Sequence, residues 1–275
     1  MFPECSTDAA SDTEAPPPGA ADDWTVLQRW ERFSAEDHAV WDTLFARQQA
    51  KLSGRLVREF AQGLDLLRLS HPGIPRLEEL NERLLRRTGW TVVSVPGLVP
   101  DNVFFRHLSQ RRFPAGNFIR PANQLDYLEE PDVFHDIFGH VPMLADPRMA
   151  DFIQALGELA PRAGASGALH RVARLYWYSV EFGLARQDGE LRIYGAGLAS
   201  SFSEAEHALR SPAPRRLPFD LRAVLRTSYR SDRLQSCYFV VDDFDELLAS
   251  GLRFDSLLAA LDDAADLDPD TGNLA

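Results

Sequence analysis

Residues 131–142 read PDVFHDIFGHVP, a stretch that sets two histidines, His135 and His140, five positions apart among large apolar side chains. On a regular α-helix, side chains five positions apart point about 140° away from each other. Both imidazoles therefore reach one metal ion only if the helix ends or distorts near His140, which Gly139 and Pro142 permit. The alternative is a helix end with two structural histidines, and the spacing alone does not decide between them.

Further along the chain, residues 175–184 read LYWYSVEFGL and contain a single acid, Glu181. A segment that is apolar on nearly all sides is typically buried, and an ionised carboxylate is costly there unless it is paired or binds a metal. Glu181 therefore has either an arginine partner, for which Arg174 and Arg186 are candidates, or a metal ion.

His135, His140 and Glu181 together offer two imidazoles and one carboxylate. Such a set occupies one face of an octahedral Fe(II) ion and leaves three positions for other ligands. The same set could hold a catalytic zinc ion with a bound water, so the ligand types alone do not choose the metal.

Apolar residues at helical spacing surround these two segments and predict a mainly α fold. Ser34 with Asp37 resembles a capping box that opens a first helix, and the apolar face behind it continues to a stop at Gly63. Further helices are predicted over residues 77–89, behind the pair Asp146-Pro147, and behind Ser203 with Glu206. Strand signals are short and lie at residues 91–95, 191–194 and 237–241. We predict a single compact helical domain with a small, short-stranded β element.

The composition is that of an ordinary globular protein, because 45% of the 275 residues are hydrophobic and 25% are charged. The 41 acidic and 29 basic residues give a net charge of −12, which argues against nucleic acid and anionic membranes as partners. No apolar run has the roughly 18 residues that a membrane span needs, and no signal peptide opens the chain. The two cysteines, Cys5 and Cys237, favour reduced thiols, so we predict a cytoplasmic protein.

The two ends of the chain differ from its body. Residues 1–22 are small, acidic and Pro-rich, so we predict a flexible tail there. Residues 261–275 are predicted to form an acidic C-terminal tail. The intervening residues 23–260 contain neither a long linker nor an internal repeat, which predicts one domain that carries the chemistry.

Four stretches of the sequence resemble the pterin-dependent aromatic amino acid hydroxylases. Residues 131–142 resemble the iron-binding signature of that family, and residues 177–184, WYSVEFGL, resemble its second signature, which supplies a carboxylate. Residues 194–202, YGAGLASSF, and residues 118–120, FIR, match two further blocks in the family's order along the chain.

The resemblance extends from about residue 24 to about residue 248 and covers the catalytic domain alone. It implies a bacterial enzyme that hydroxylates L-phenylalanine to L-tyrosine with O₂, Fe(II) and tetrahydrobiopterin or a related tetrahydropterin. By resemblance, the iron ligands would be His135, His140 and Glu181. The regulatory and tetramerising segments of animal members have no room in this chain, so we expect a monomer.

The resemblance also implies a substrate site. Arg120 would hold the substrate carboxylate, because a guanidinium fork can donate two parallel hydrogen bonds to it. Trp177 would face the substrate ring, with Pro131 and Phe182 as further apolar walls. Ser200 would form a hydrogen bond close to the first iron ligand. By residue type alone, Arg120 would be an ordinary surface charge and Trp177 a core residue.

A pterin site is implied in the same way. It would be formed by Gly97, Val99, Asp101, Phe104, Ala173 and Tyr176, with Asp136 reached through water. Phe104 is the stacking candidate because an aromatic face suits a flat heterocycle, although the same residue also suits a helix core. Many family members have Glu where this chain has Asp136, which shortens the reach towards the cofactor.

The choice of substrate depends on Val240, which the resemblance places near the substrate ring where tyrosine hydroxylases tend to have an acid. An apolar side chain there cannot pair with a phenol hydroxyl, so phenylalanine is favoured over tyrosine. Two alternatives on the same scaffold are a tryptophan hydroxylase and an enzyme that hydroxylates phenylalanine at another ring position. A third alternative, from a different class, is a non-catalytic protein that binds metal or pterin.

Overall fold

The computed structural model describes residues 15–126, 130–250 and 265–271, and it confirms the mainly α fold with a minor β element. Ten α-helices have both ends within these residues, namely α1 Ala35–Leu52, α2 Arg58–Leu66, α3 Leu77–Thr88, α4 Asp101–Ser109, α5 Val141–Leu144, α6 Pro147–Ala165, α7 Leu169–Tyr176, α8 Ala196–Ser200, α9 Phe202–Arg210 and α10 Leu221–Arg226. Residues 244–250 are helical as well. Two π-helical segments, His135–His140 and Trp177–Glu181, lie directly before α5 and directly after α7.

The strands form two small sheets. The first pairs β1, Thr91–Val95, in parallel with β2, Arg112–Gly116. The second has the order β4-β3-β6-β5, and its strands are β3 Leu184–Gln187, β4 Glu190–Ile193, β5 Arg215–Pro218 and β6 Cys237–Val241. The sequence predicted β1 and β6 as they occur and β4 one residue late, whereas β2, β3 and β5 lacked a clear local signal.

The first predicted helix begins as expected but ends earlier. Ser34 and Asp37 form the capping box, because each side chain accepts a hydrogen bond from the other residue's backbone N–H. The continuous helix up to Gly63 is wrong, since α1 ends at Leu52 and Gly54 follows with φ +68°. Gly63 lies inside α2, where an added Cβ would meet the carbonyl oxygen of Pro142 at 2.1 Å. It is therefore a close-packing position and not a helix stop.

Three other predicted helix ends can be compared with the structure. Gly89 ends α3 in the left-handed conformation with φ +76°, as predicted. Asp146 caps α6 by accepting hydrogen bonds from the backbone of Arg148 and Met149. The cap of α9 is Ser201 and not Ser203, because Ser201 has the extended backbone that an N-cap requires and accepts from the backbone N–H of Glu204.

The histidine-bearing π segment lies in the centre of the core. Phe134 and Phe138 stack at 4.9 Å, and Trp41 from α1 packs edge-on against Phe134 at 5.3 Å. Gly139 in the same segment lies close to α8, where an added Cβ would meet the carbonyl oxygen of Ala196 at 2.9 Å. The histidine-bearing segment therefore packs against residues of both α1 and α8.

Residues near the two ends of the described chain also pack onto the body. Asp23 pairs with Arg112 in β2 at 2.9 Å, and Arg174 in α7 pairs with Asp266 at 2.6 Å. Leu267 exchanges backbone hydrogen bonds with residues 226 and 228. The predicted domain limits at residues 22 and 260 stay predictions, and residues 1–14, 251–264 and 272–275 of the predicted tails and domain lie outside the described residues. Within the described residues, none of the helices combines the length and apolarity needed to cross a membrane.

Candidate metal centre

The two histidines meet because their segment is a π-helix. A π-helical turn closes with hydrogen bonds five residues apart, so residues i and i+5 come onto the same side. The Nε2 atoms of His135 and His140 consequently lie 3.3 Å apart. The distortion that the spacing demanded is present, and the helix continues into α5 instead of ending.

The carboxylate arrives on the second π segment, whose turn is closed by a 2.8 Å hydrogen bond from the backbone N–H of Phe182 to the carbonyl oxygen of Trp177. Glu181 Oε1 lies 3.4 Å from Nε2 of His135, and its Oε2 lies 3.1 Å from Nε2 of His140. The arginine alternative is wrong, because the two candidate arginines pair elsewhere, with Asp266 and Asp242.

These three side chains fit a divalent metal ion. Two donors bound at right angles at about 2.1 Å from one ion lie about 3 Å apart, close to the separations found here. Burial lowers the pKa of His135 to about 3, so its imidazole is neutral at pH 7 and has a free lone pair. Burial tends to raise the pKa of Glu181, but the two imidazoles outweigh it and bring that pKa to about 2. The site therefore offers the neutral imidazole of His135 and the ionised carboxylate of Glu181.

Neighbouring hydroxyl groups orient the imidazoles. The Ser200 hydroxyl donates to the carbonyl oxygen of Ala196 at 2.9 Å, so it accepts the proton of His135 Nδ1 at 2.8 Å. This tautomer leaves the lone pair of His135 Nε2 directed at the metal position. The Tyr176 hydroxyl lies 3.3 Å from His140 Nδ1 and can likewise accept a hydrogen bond from that nitrogen. Ser200 thus lies beside His135 as the resemblance implied.

A cavity of about 350 Å³ opens beside this centre. Its wall includes the ligands His135 and Glu181 and four of the five residues that the resemblance assigned to the substrate, namely Arg120, Pro131, Phe182 and Ser200. Other lining residues come from α1, the segment around residue 125, α9 and the loop over residues 231–234.

Arg120 is buried rather than a surface charge, and one edge of its guanidinium group is already occupied. Its Nε and Nη2 atoms donate to the two carboxylate oxygens of Asp132 at 2.8 and 2.9 Å, and its Nη1 donates to the carbonyl oxygen of Leu125 at 3.3 Å. The edge between Nη1 and Nη2 keeps one N–H group on each nitrogen. A substrate carboxylate could bind only there, with Asp132 fixing the orientation of the fork.

Trp177 is not among the residues that line the cavity, so its place at the substrate ring stays a prediction. Its indole N–H donates to Gln235 Oε1 at 3.0 Å, and its ring stacks on Tyr229 at 4.1 Å. It also touches Phe182 with ring centroids 4.6 Å apart, so it supports that wall from behind. Val240 likewise lies off the lining, in β6 between Leu184 and Pro218, so the argument from Val240 against a phenol substrate has no geometric support.

A second, smaller cavity lies against the same ligands. Besides His135, His140 and Glu181, its lining includes five residues expected at the pterin site: Gly97, Val99, Phe104, Asp136 and Tyr176. The other two do not line it: Asp101 is the first residue of α4, and Ala173 is buried within α7. The Phe104 ring meets Tyr176 edge-on at 5.4 Å. The metal centre therefore lies where two cavities meet.

Asp136 is a buried carboxyl group in the second cavity. Burial raises its pKa to about 7, against the opposing effect of a hydrogen bond from the backbone N–H of Gly116 to its Oδ2 at 2.7 Å. This bond ties the first π segment to the end of β2.

Several lining residues were not assigned a role from the sequence. Phe113 and Pro114 come from β2, a strand without a clear local signal, and Phe113 lies 4.8 Å from the His140 ring. Gln48 and Glu204 lie on helices far apart in sequence, and each occupies an ordinary helical position. Asp132, which lines neither cavity but pairs with Arg120, lies in the stretch over residues 131–142, where an acid among apolar residues signals a buried partner.

Comparisons with known proteins agree with this arrangement. The family profile of the biopterin-dependent aromatic amino acid hydroxylases matches residues 28–259. The chain is 56% identical over 241 residues to a phenylalanine-4-hydroxylase of Caulobacter vibrioides. The aligned residues cover 88% of this chain and 82% of that protein. A crystal structure of phenylalanine hydroxylase from Chromobacterium violaceum with iron and phenylalanine bound has a TM-score of 0.86 and 46% identity, covering 91% of this chain and 92% of that one. This chain is therefore a member of the biopterin-dependent aromatic amino acid hydroxylase family.

Proposed function

We propose that the protein hydroxylates L-phenylalanine to L-tyrosine, using O₂, Fe(II) and tetrahydrobiopterin or a related tetrahydropterin. The observation that carries this proposal is a buried set of two histidines and one glutamate situated where two cavities meet. Relatives from Caulobacter vibrioides and Ralstonia nicotianae, at 56% and 55% identity, are both named phenylalanine-4-hydroxylase.

His135, His140 and Glu181 would hold the iron ion. Two imidazoles and a carboxylate are the ligand set of non-haem Fe(II) oxygenases, and they leave positions on the ion for other ligands. When bound, Fe(II) together with the tetrahydropterin and O₂ supplies the oxidising chemistry. The protein contributes ligand orientation through Ser200 and a largely apolar surround that excludes water.

The larger cavity would take the amino acid. The free edge of Arg120 would bind the substrate carboxylate, and Pro131 and Phe182 would contact the aromatic ring beside the metal centre. Trp177 would help to position the substrate's aromatic ring indirectly, because it packs against Phe182.

The smaller cavity would take the edge of the pterin. Phe104 and Tyr176 offer aromatic surface, and Gly97 and Val99 offer backbone polar groups for a flat heterocycle. Asp136 would be reached through water. Asp101 and Ala173 stay predictions that would require the cavity to extend along α4 and α7 when the pterin binds.

A product assay tests the proposal directly. The protein is incubated with L-phenylalanine, Fe(II), tetrahydrobiopterin and O₂, each omitted in turn, and the products are separated by chromatography. Tyrosine is expected only when all components are present. Turnover that continues without the pterin would overturn the proposal, as would a protein that binds iron but consumes no O₂ with any aromatic amino acid.

The same chromatographic assay separates the alternative substrates. L-tryptophan is tested as a competing substrate, and the ring position of any hydroxyl group on phenylalanine is read from the product. A preference for tryptophan, or a hydroxyl group away from the para carbon, would replace the assignment on the same scaffold.

We also propose that the enzyme acts as a monomer in the cytoplasm, with no nucleic acid or membrane as a partner. The net charge of −12 and the presence of only two cysteines support this proposal. Sedimentation equilibrium at micromolar concentration is expected to give the mass of one chain, and a dimer mass would contradict the monomer.

A further inference from the structure

An α-amino acid bound in the larger cavity brings a positive ammonium group as well as a carboxylate. The free edge of Arg120 suits the carboxylate, but burying an ammonium group without an acceptor is costly. The described residues that line this cavity include four carboxylates, which are Asp126, Glu181, Glu204 and Asp232. One of these groups is the natural place to look for the ammonium partner.

Three of the four carboxylates have other partners. Glu181 lies between the two histidines of the metal centre. Asp126 pairs with Arg47 and its side chain is 73% exposed, while Asp232 pairs with Arg230 and its side chain is 63% exposed. Glu204 is different, because it is 6% exposed and forms no ion pair with Lys or Arg among the described residues.

Glu204 is held so that one oxygen remains available. The Tyr238 hydroxyl donates to Glu204 Oε1 at 2.6 Å, and the backbone N–H of Gln235 donates to the same oxygen at 2.9 Å. No hydrogen bond to Glu204 Oε2 is formed by the described residues. The residue lies in the first turn of α9, where the helix N-terminus favours a negative charge. Burial nevertheless raises the pKa of Glu204, a cost that a neighbouring cation would offset.

Gln48 from α1 brings a second acceptor to the same cavity. Its Nε2 donates to the carbonyl oxygen of Ala199 at 2.7 Å, which holds the amide in place. Its Oε1 is buried and has no donor in the described part of the chain. A buried acceptor without a donor is rare in folded proteins and calls for an explanation, such as a ligand that supplies the donor.

We infer that Glu204 and Gln48 together bind the α-ammonium group of the amino acid substrate. The ammonium group has N–H donors for both acceptors, and both line the same cavity, where Ala199 holds the Gln48 amide and Tyr238 with Gln235 holds the Glu204 carboxylate. The inference rests on the proposed function, because it takes the occupant of this cavity to be an amino acid. It assigns recognition of the two substrate charges to separate groups, Arg120 for the carboxylate and this pair for the ammonium.

The test compares two ligands that differ only in the ammonium group. L-phenylalanine and 3-phenylpropanoate are titrated by calorimetry into the full-length protein loaded with Co(II), for the wild type and for Glu204→Gln, Gln48→Met and Glu206→Gln. Glu204→Gln keeps an oxygen acceptor for Tyr238 and Gln235, so we expect the variant to fold. Glu206 is the matched control, because it lies on the same helix and pairs outside the cavity with Arg55 and Arg210.

We expect Glu204→Gln to weaken binding of L-phenylalanine by about ten- to a hundredfold, the effect of losing a hydrogen bond to a charged group. The affinity for 3-phenylpropanoate should change by less than about twofold, because this ligand has no ammonium group and the substitution removes none of its contacts. Gln48→Met should weaken binding of L-phenylalanine by a smaller factor and leave binding of 3-phenylpropanoate nearly unchanged. Glu206→Gln should change the affinity for neither ligand. In the iron-loaded enzyme, KM for phenylalanine should rise more than kcat falls.

Equal losses for both ligands, or no loss for L-phenylalanine, would overturn the inference. If circular dichroism shows that Glu204→Gln does not fold, Gln48→Met is used instead. The inference then requires that Gln48→Met weaken binding of L-phenylalanine more than binding of 3-phenylpropanoate. The affinities can be measured whether or not the enzyme turns over. A wild type that forms no tyrosine therefore refutes the proposed function, while tyrosine formation with unselective losses refutes only the ammonium site.

Discussion

At the scale of single residues, the metal centre depends on Glu181 as its one negative charge. Glu181→Gln keeps the shape of the side chain but replaces an ionised carboxylate with a weakly binding amide. We expect metal affinity to fall by more than about a hundredfold. Losing a residue that only hydrogen-bonds a metal ligand lowers metal affinity by roughly 10- to 100-fold, and losing the ligand itself should lower it further. Equilibrium dialysis against Co(II) measures this, with Glu206→Gln as a control. Unchanged affinity would remove Glu181 from the ligand set.

Ser200 tests whether the tautomer of His135 matters. Ser200→Ala removes the acceptor that holds the Nδ1 proton, while the residue stays on α8 with its backbone unchanged. Metal affinity or activity should fall by about 10- to 100-fold. Ser200→Thr keeps the hydroxyl group and should recover most of the loss if the larger side chain is accommodated. Full metal affinity and full activity in Ser200→Ala would show that the ring is oriented by packing alone.

At the scale of the elements, two π-helical segments bring the ligands together, and the first depends on close packing against α8. Gly139→Ala would place a methyl group 2.9 Å from the carbonyl oxygen of Ala196, so α8 must shift. We expect a loss of about 1–3 kcal/mol in the free energy of unfolding, together with weaker metal binding because α8 also carries Ser200. Urea unfolding and metal titration measure the two effects.

Gly164→Ala is the matched control for this change. Gly164 lies near the end of α6, and an added Cβ would have no neighbour within 4 Å. Because Ala favours the helix more than Gly does, the free energy of unfolding should stay the same or rise by less than about 1 kcal/mol. A loss in Gly164→Ala as large as that in Gly139→Ala would attribute both effects to glycine itself and not to the contact with α8.

At the scale of the whole molecule, the segment around Asp23 joins the N-terminal end of the described chain to β2. Hydrogen bonds from Thr25, and the ion pair with Arg112, lower the pKa of Asp23 to about 2. The unfolded chain binds this proton near pH 4, so the contribution to stability is complete above about pH 5 and is lost as the pH falls towards 2.

Asp23→Asn should therefore destabilise the protein at pH 7 by about 1 kcal/mol, a value reduced for the partial exposure of the pair. The difference from the wild type should shrink as the pH falls below 5. Urea unfolding at several pH values measures this, with the exposed neighbour Asp22→Asn as a control. A difference that does not depend on pH would point to packing and not to the charge.

The sequence alone could predict the parts of this protein that follow from local patterns. Apolar spacing and caps predicted most helices, because helical periodicity and end signals are encoded within a few turns. Two histidines and one acid stand out in apolar surroundings, where polar groups need a partner, so they were candidate metal ligands, and the resemblance to a known family assigned them to iron. Most of the site residues that the resemblance to a known family assigned do line one of the two cavities.

Only the tertiary structure decided how these parts meet. The spacing of the histidines required only a helix that ends or distorts, whereas the structure shows a π turn whose residues pack against α1 and α8. The same holds for the guanidinium edge of Arg120 that Asp132 occupies, and for the place of Trp177 behind Phe182. Gln48 reaches the backbone of Ala199 across 151 positions, so its part in the cavity could not be predicted from its neighbours in sequence. Periodicity determines which side of an element is buried, whereas contacts between distant elements determine what each buried polar group faces.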